Sequence, residues 1–187
     1  MSIANPEGAS KLDALVTAER SSDTISYGIA ETILGRVLVA RSARGVCAIL
    51  IGENQEELRA DLARRFPRAA IREDPGAVQE ELRNVALFVD GDEGSVDLPL
   101  DLHGTEFQRK VWESLMAIPA GTTMTYSELA QQIGKPRAVR AVAGACAANP
   151  VALAIPCHRV VRSNGELAGY AWGVERKRAL LEREAQA

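Results

Sequence analysis

Three short apolar segments separated by glycine lie within residues 26–52, and the apolar patterns that follow have mostly helical spacing. This order constrains the fold more than any other feature. Val, Ile and Leu cluster or alternate over Ser26–Ala30, Arg36–Arg41 and Val46–Gly52, with Gly35 and Gly45 at the turns, as in short strands joined into hairpins. Leu58, Leu62 and Phe66 then share one face near Gln55–Phe66, and Val78, Leu82, Val85 and Val89 share one face near Ala77–Val89. Leu98–Leu102 reads as extended, and Thr105–Met116 as a helix with Phe107, Val111 and Leu115 inward and Trp112 in the core. Strands at one end and helices at the other predict an α/β chain of the α+β kind. A small sheet unit is expected over residues 23–102 and a mostly helical unit over 103–187. Residues 1–22 carry Pro, Gly, Ser and mixed charge without a core pattern and read as a tail, and Gly91–Ser95 reads as an acidic loop.

At 187 residues and 47% hydrophobic, the chain has enough material to bury a core. No run approaches the ~18 uninterrupted apolar residues of a membrane span, and Met1–Ser10 lacks the basic and apolar regions of a signal peptide, so a cytoplasmic location is expected. The three cysteines cannot all pair, and with two histidines they form no zinc-ligand spacing; no metal is expected.

The net charge of −3 hides an asymmetry. Residues 1–101 hold 11 basic and 18 acidic side chains, whereas residues 102–187 hold 11 and 7. Between Glu128 and Glu166 stand Lys135, Arg137, Arg140, Arg159 and Arg162 with no acidic residue. Phosphate neutralisation depends on local charge, so this stretch is a candidate surface for a nucleic-acid backbone, with a merely solvated face as the alternative.

Helix signals fall in the same stretch. Thr125–Glu128 has the T-x-x-E form of a capping box, and Leu129, Ala130 and Ile133 continue it as an apolar stripe. Gly134 ends that helix, and Pro136 suits the opening of a second from about Arg137 to Ala147. Two short helices about a glycine-containing turn read as a helix-turn-helix. The second is small-faced, with Ala138, Ala141, Ala143, Gly144, Ala145, Cys146 and Ala147, which suits either close approach to another surface or tight core packing.

Candidate chemistry lies in Ile155-Pro156-Cys157-His158-Arg159-Val160-Val161. A thiol attacks as thiolate, and a free cysteine with pKa of about 8.5 is only a few per cent ionised at pH 7 unless a base or cations assist. Arg159, Arg162 and His158 are the candidates for that assistance. A cysteine among Ile, Pro and Val also fits a small core residue. Neighbours on a strand point to opposite faces, so either the backbone turns at Pro156 or a water carries the proton from Cys157 to His158. Glu182 and Glu184 in the last helix could orient the imidazole.

The run Ile155–Val161, followed by Gly165, Gly169-Tyr170, Trp172-Gly173 and Leu180-Leu181, resembles the active-site region of the O6-alkylguanine-DNA alkyltransferases, most nearly the C-terminal domain of the family's bacterial adaptive-response regulators. The likeness extends upstream through Thr125–Ala130 and Ala138–Val142 and back to about Tyr27. It implies a ribonuclease-H-like N-terminal sheet that scaffolds a DNA-binding helix-turn-helix, whose second helix lies in the minor groove. It further implies DNA contacts from Lys135, Arg137, Arg140, Ala141, Gly144 and Ala145, with Arg140 filling the gap left by an extruded nucleotide. By the same resemblance Tyr126 helps rotate that nucleotide and donates a hydrogen bond to the departing guanine. Asn149 ties the turn that places the thiol, and Val160, Tyr170, Ala171 and Trp172 line the base pocket.

The glutamate of the family's Glu–His–water–Cys relay falls at Glu184, 27 residues beyond Cys157. The implied reaction is single-turnover transfer of an alkyl group from O6 of guanine, with O4 of thymine a second candidate, to Cys157. It uses neither cofactor nor metal, and the implied partner is double-stranded DNA carrying O6-alkylguanine, bound with little sequence preference by a monomer. The cysteine cluster of the regulators' zinc-bearing domain is absent from this sequence, so repair rather than transcriptional regulation is expected. A non-catalytic lesion-binding module and a thiol hydrolase are the alternatives.

Overall fold

The computed structural model describes residues 24–91, 96–167 and 169–186. The tail over residues 1–22 and most of the acidic loop lie outside the described residues. The apolar segments form strands β1 (Thr24–Thr32), β2 (Gly35–Arg41) and β3 (Val46–Gly52), paired antiparallel in sequence order. Helix α1 (Gln55–Arg65) starts at Asn54, whose side chain accepts from the Glu56 amide, and packs on β2 and β3. Helix α2 (Gln79–Asp90) follows a 3-10 turn over Pro75–Val78, so it begins two residues later than its periodicity suggests.

Between them lies a strand absent from the sequence expectation, β4 (Ala70–Glu73), which pairs parallel with β1 and completes a sheet of order β3-β2-β1-β4. Its residues Ala70, Arg72 and Glu73 are exposed and only Ile71 is partly buried, so no alternating apolar pattern marks it. A mixed sheet beside a helical C-terminal part is the α/β architecture expected.

The helical part comprises α3 (Glu106–Met116), a short strand β5 (Met124–Thr125), α4 (Tyr126–Gln132), α5 (Val139–Ala147), a second short strand β6 (Val160–Val161) and α6 (Val174–Glu184). Thr105 and Thr125 both close full capping boxes, with Gln108 and Glu128, and so satisfy the first amides of α3 and α4. Trp112 is in the core, 1% exposed, and its Nε1 donates to the Ala145 carbonyl at 2.9 Å, fastening α3 to α5. Gly134 turns the chain with φ +71° after α4. Helix α5 starts at Val139 rather than Arg137, because Pro136 lies in a turn that the Ala138 amide closes on the Lys135 carbonyl.

The sequence reading treats residues 23–102 as a separate unit, yet one continuous buried core runs through both parts. Strand β3 ties them together. The Val46 amide donates to the Pro99 carbonyl at 2.7 Å and the Asp101 amide to the Val46 carbonyl at 2.8 Å. Further along, the Ile49 amide donates to Pro150 and the Ala152 amide to Ile49, at 2.9 and 3.0 Å. Gly45 permits the first contact: a Cβ there would lie 2.4 Å from the Pro99 carbonyl oxygen. The second contact grips the chain just before the candidate nucleophile.

Candidate active site

The nucleophile segment leaves α5 through Asn149-Pro150 and passes β3 with a single bridge, Ile49 to Val151. Leu153 then adopts φ +71°, an unfavourable conformation for a branched residue, held by the hydrogen bonds of Ile49 to its neighbours on the N-terminal side. After Pro156 the chain turns through one 3-10 turn, Cys157–Arg159, before entering β6. The backbone does turn, yet His158 Nδ1 has no hydrogen-bond partner among the described residues, so the turn alone gives no direct Cys157–His158 bond and the water route stays open. Cys157 and His158 are 5% and 0% exposed.

Asn149 organises the turn. Its side-chain amide donates to the Ile155 carbonyl at 2.8 Å and to Cys157 Sγ at 3.3 Å, while its Oδ1 accepts from the Val151 amide at 2.9 Å. The asparagine is wholly buried, so these bonds replace every interaction it had with water.

On the other side of the turn, His158 Nε2 lies 2.8 Å from Glu184 Oε1. Glu184 also takes a guanidinium fork from Arg159, with Nε to Oε2 at 2.9 Å and Nη2 to Oε1 at 2.8 Å. Burial raises the Glu184 pKa, but the hydrogen bonds from His158 and Arg159 outweigh it and bring the carboxyl down to about 2. Burial pushes the His158 pKa down, against the opposing pull of Glu184. A neutral imidazole that donates from Nε2 to Glu184 keeps Nδ1 as an acceptor. Among the described residues nothing meets that Nδ1, nor the buried Tyr170 hydroxyl or Trp172 Nε1. Glu182 is exposed and takes no part.

Burial pushes the Cys157 thiol up to about 11, and the Asn149 hydrogen bond and then the charge of Lys177 pull against that rise. The flanking arginines do not provide this cation, contrary to the sequence expectation. Arg159 is spent on Glu184 and the Ile118 carbonyl, and Arg162 is exposed beside Glu166. Lys177 does so from α6, where it is 0% exposed and donates to the Val160 carbonyl. Sequence reasoning missed it, although a signal exists: it lies three residues before the buried Leu180 on a face a soluble helix reserves for apolar side chains.

Tyr126 opens α4 beside the nucleophile turn because β5 pairs with β6, Met124 against Val160 and Thr125 against Val161. It is partly buried, and burial first, then the nearby Cys146 and Cys157 thiols, raise its phenol to about 12. Tyr170 and Trp172 are buried edge-to-face with ring centroids 5.1 Å apart, Val160 is fully buried, and Ala171 is exposed.

Lys135, Arg137, Arg140, Ala141 and Gly144 are all exposed around the helix-turn-helix. Ala145 is not among them. At 2% exposure its side chain faces the core with Val142 and Cys146, on the side of the helix away from Arg140 and Gly144. A Cβ on Gly144 would meet nothing within 4 Å, so the open face of α5 is clear for approach.

The fold thus sets a buried candidate cysteine nucleophile, with an Asn amide and a Glu–His pair, beside a helix-turn-helix that exposes an arginine. Residues 106–186 match the family model "6-O-methylguanine DNA methyltransferase, DNA binding domain". The chain is 37% identical to the inducible methylated-DNA–protein-cysteine methyltransferase of Bacillus subtilis, covering 87% of this chain and 86% of that one. It is 49% identical to the regulatory protein Ada of Salmonella typhimurium over 87% of this chain but only 46% of the relative, so it spans about half of that protein's length. The crystal structure of Mycobacterium tuberculosis OGT in complex with DNA superposes with a TM-score of 0.73 at 35% identity, covering 86% of this chain and 93% of the other. The chain belongs to the methylated-DNA–protein-cysteine methyltransferase family.

Proposed function

We propose that this protein repairs O6-alkylguanine in duplex DNA by moving the alkyl group to Cys157 in a single turnover. The observation that carries this reading is the Cys157 site itself. A thiol too basic to ionise unaided lies one residue from an imidazole whose Nε2 is anchored to Glu184 and whose Nδ1 is left to accept a proton. The thiol proton passes to His158 through a water, and the resulting imidazolium is stabilised by Glu184. The thiolate attacks the alkyl carbon, so an S–C bond forms as the C–O6 bond breaks and the electron pair passes to the purine. Tyr126, high in pKa and close to the thiol, donates a hydrogen bond to the departing base. The product is a thioether that no group in the site can cleave, so the protein is consumed.

Duplex DNA is the proposed partner. Reaching O6 requires the nucleotide to leave the stack, because a thiol recessed to 5% exposure cannot enter the duplex. Exposed Arg140, flanked by Ala141 and Gly144, fits a side chain entering a minor groove with little steric bulk around it, while Lys135 and Arg137 meet phosphates. Tyr170, Trp172, Val160 and the Ala171 amide form the wall of the base pocket. Residues 23–102 act as the scaffold and residues 103–187 as the reactive unit, working as a monomer. A DNA substrate is consistent with a cytoplasmic location beside the chromosome.

A duplex carrying O6-methylguanine labelled in its methyl group tests the reading. Label should appear on Cys157, reach no more than one equivalent, and vanish in Cys157→Ala. Repeated turnover would instead indicate a thiol hydrolase, and binding without transfer a lesion-recognition module.

A further inference from the structure

Lys177 has no part in the relay just described, yet it is the only lysine among the largest fully buried side chains of the described residues. A buried ammonium is costly unless it works on something nearby. Three observations place it. Its Nζ donates to the carbonyl of Val160, three residues after the nucleophile and paired across β5–β6 with Met124. The same Nζ stands 6.0 Å from the centroid of the Tyr126 ring. The helix that carries it also carries Glu184, so one rigid element delivers both the carboxylate that orients His158 and an ammonium bonded to the strand that follows the nucleophile turn.

On the reading that Cys157 is the alkyl acceptor, we propose that Lys177 is a positioning residue whose fixed positive charge stabilises the Cys157 thiolate and, once transfer begins, the negative charge that develops on the departing purine beside Tyr126. Negative charge stays within one small region throughout, first on sulfur and then on the base, and an ammonium anchored to Val160 can attract it in both places without moving. The imidazolium on His158 serves only while it holds the thiol proton, whereas the Lys177 ammonium takes no proton from the thiol; burial lowers its pKa, and the neighbouring Cys157 and Cys146 thiols pull it back up. The other ionisable groups around the thiol are poorly suited. Cys146 on α5, Tyr126 on α4 and Tyr170 are weak acids that burial keeps neutral. Arg159 and Glu184 neutralise one another, and Arg162 and Arg176 are engaged with Glu166 and Glu53.

The test separates charge from shape. Lys177→Met keeps the approximate length without the charge, and Lys177→Arg keeps the charge with a bulkier head. Thiolate formation is read without DNA, as ultraviolet absorbance against pH in each protein minus that of its Cys157→Ala counterpart. Transfer from labelled O6-methylguanine duplex is measured in parallel, with a thermal melt for each variant. Lys177→Met should form thiolate about one pH unit higher and transfer roughly tenfold more slowly at neutral pH, while Lys177→Arg stays nearer to wild type in both. A folded Lys177→Met with the wild-type titration overturns the proposal. So does a larger loss in folded Lys177→Arg than in Lys177→Met, or collapse of both variants, since either result assigns Lys177 to packing. Should the wild type itself transfer no label, the functional reading fails, and the thiolate titration still reports on Lys177 by itself.

Discussion

Glu184→Gln removes one charge and leaves the shape almost unchanged. The carboxylate receives His158, a two-point fork from Arg159 and, at 3.3 Å, the Gly121 amide. A glutamine offers one acceptor oxygen and turns its NH2 toward donors. The carboxyl pKa falls from 4.5 to about 2 in the fold. That depression corresponds to about 3 kcal/mol, reduced to about 2 kcal/mol for residual solvent screening. For a chain of this size the loss should lower the melting temperature by about 4–8 °C near pH 7. The sign follows from the depressed pKa. The stabilisation is fully present above pH 4.5 and disappears as pH falls from 4.5 toward 2, so wild type and Glu184→Gln should converge in acid. Transfer to Cys157 should slow by roughly a hundredfold or more, because the imidazole loses the group that holds its Nε2 proton and stabilises its cation. Melts by circular dichroism from pH 7 to pH 3, with single-turnover rates on an O6-methylguanine duplex, provide the check. A melting difference that stays constant across that pH range, or a wild-type transfer rate, would refute the reasoning.

Asn149→Ala should cost about 3 kcal/mol or more in urea unfolding, since it leaves the Ile155 carbonyl and the Val151 amide buried without their partner. An effect under about 1 kcal/mol would show that the turn holds without it. Arg140→Ala should weaken repair of duplex substrate far more than reaction with a free O6-alkylated nucleobase, measured by single-turnover assays on both; equal losses would remove its role in extrusion. Gly45→Ala should open the seam between β3 and the Pro99–Asp101 segment, lowering the melting temperature and, through the rest of β3, slowing transfer. A melt within a degree or so of wild type would mean the hairpin yields without strain.

Local sequence carried most of the elements because their causes are local. Hairpin strands β1–β3 follow from apolar runs broken by Gly35 and Gly45, and α4 from a capping box that closes within four residues. Strand β4 was invisible because pairing with β1, more than 40 residues away, makes it a strand, and its exposed Arg72 and Glu73 carry no apolar signal. Ala145 could have been assigned correctly. Val142 marks the buried face of α5, and positions three and four beyond it fall on that face, not on the side that carries Arg140 and Gly144.

Residue identity singled out Cys157 and His158, because a thiol relay needs an imidazole and the chain has only two, but it left Glu182 and Glu184 both open, and the family resemblance chose Glu184. Where the cation sits was decided only when α6 folded against β6. Arg159 and Arg162 neighbour the thiol along the chain but turn toward carboxylates, while Lys177, 20 residues distant, is carried to it by the helix that also delivers Glu184. Electrostatic attraction depends on separation in space and on the surrounding dielectric, and neither is a property of position along the chain.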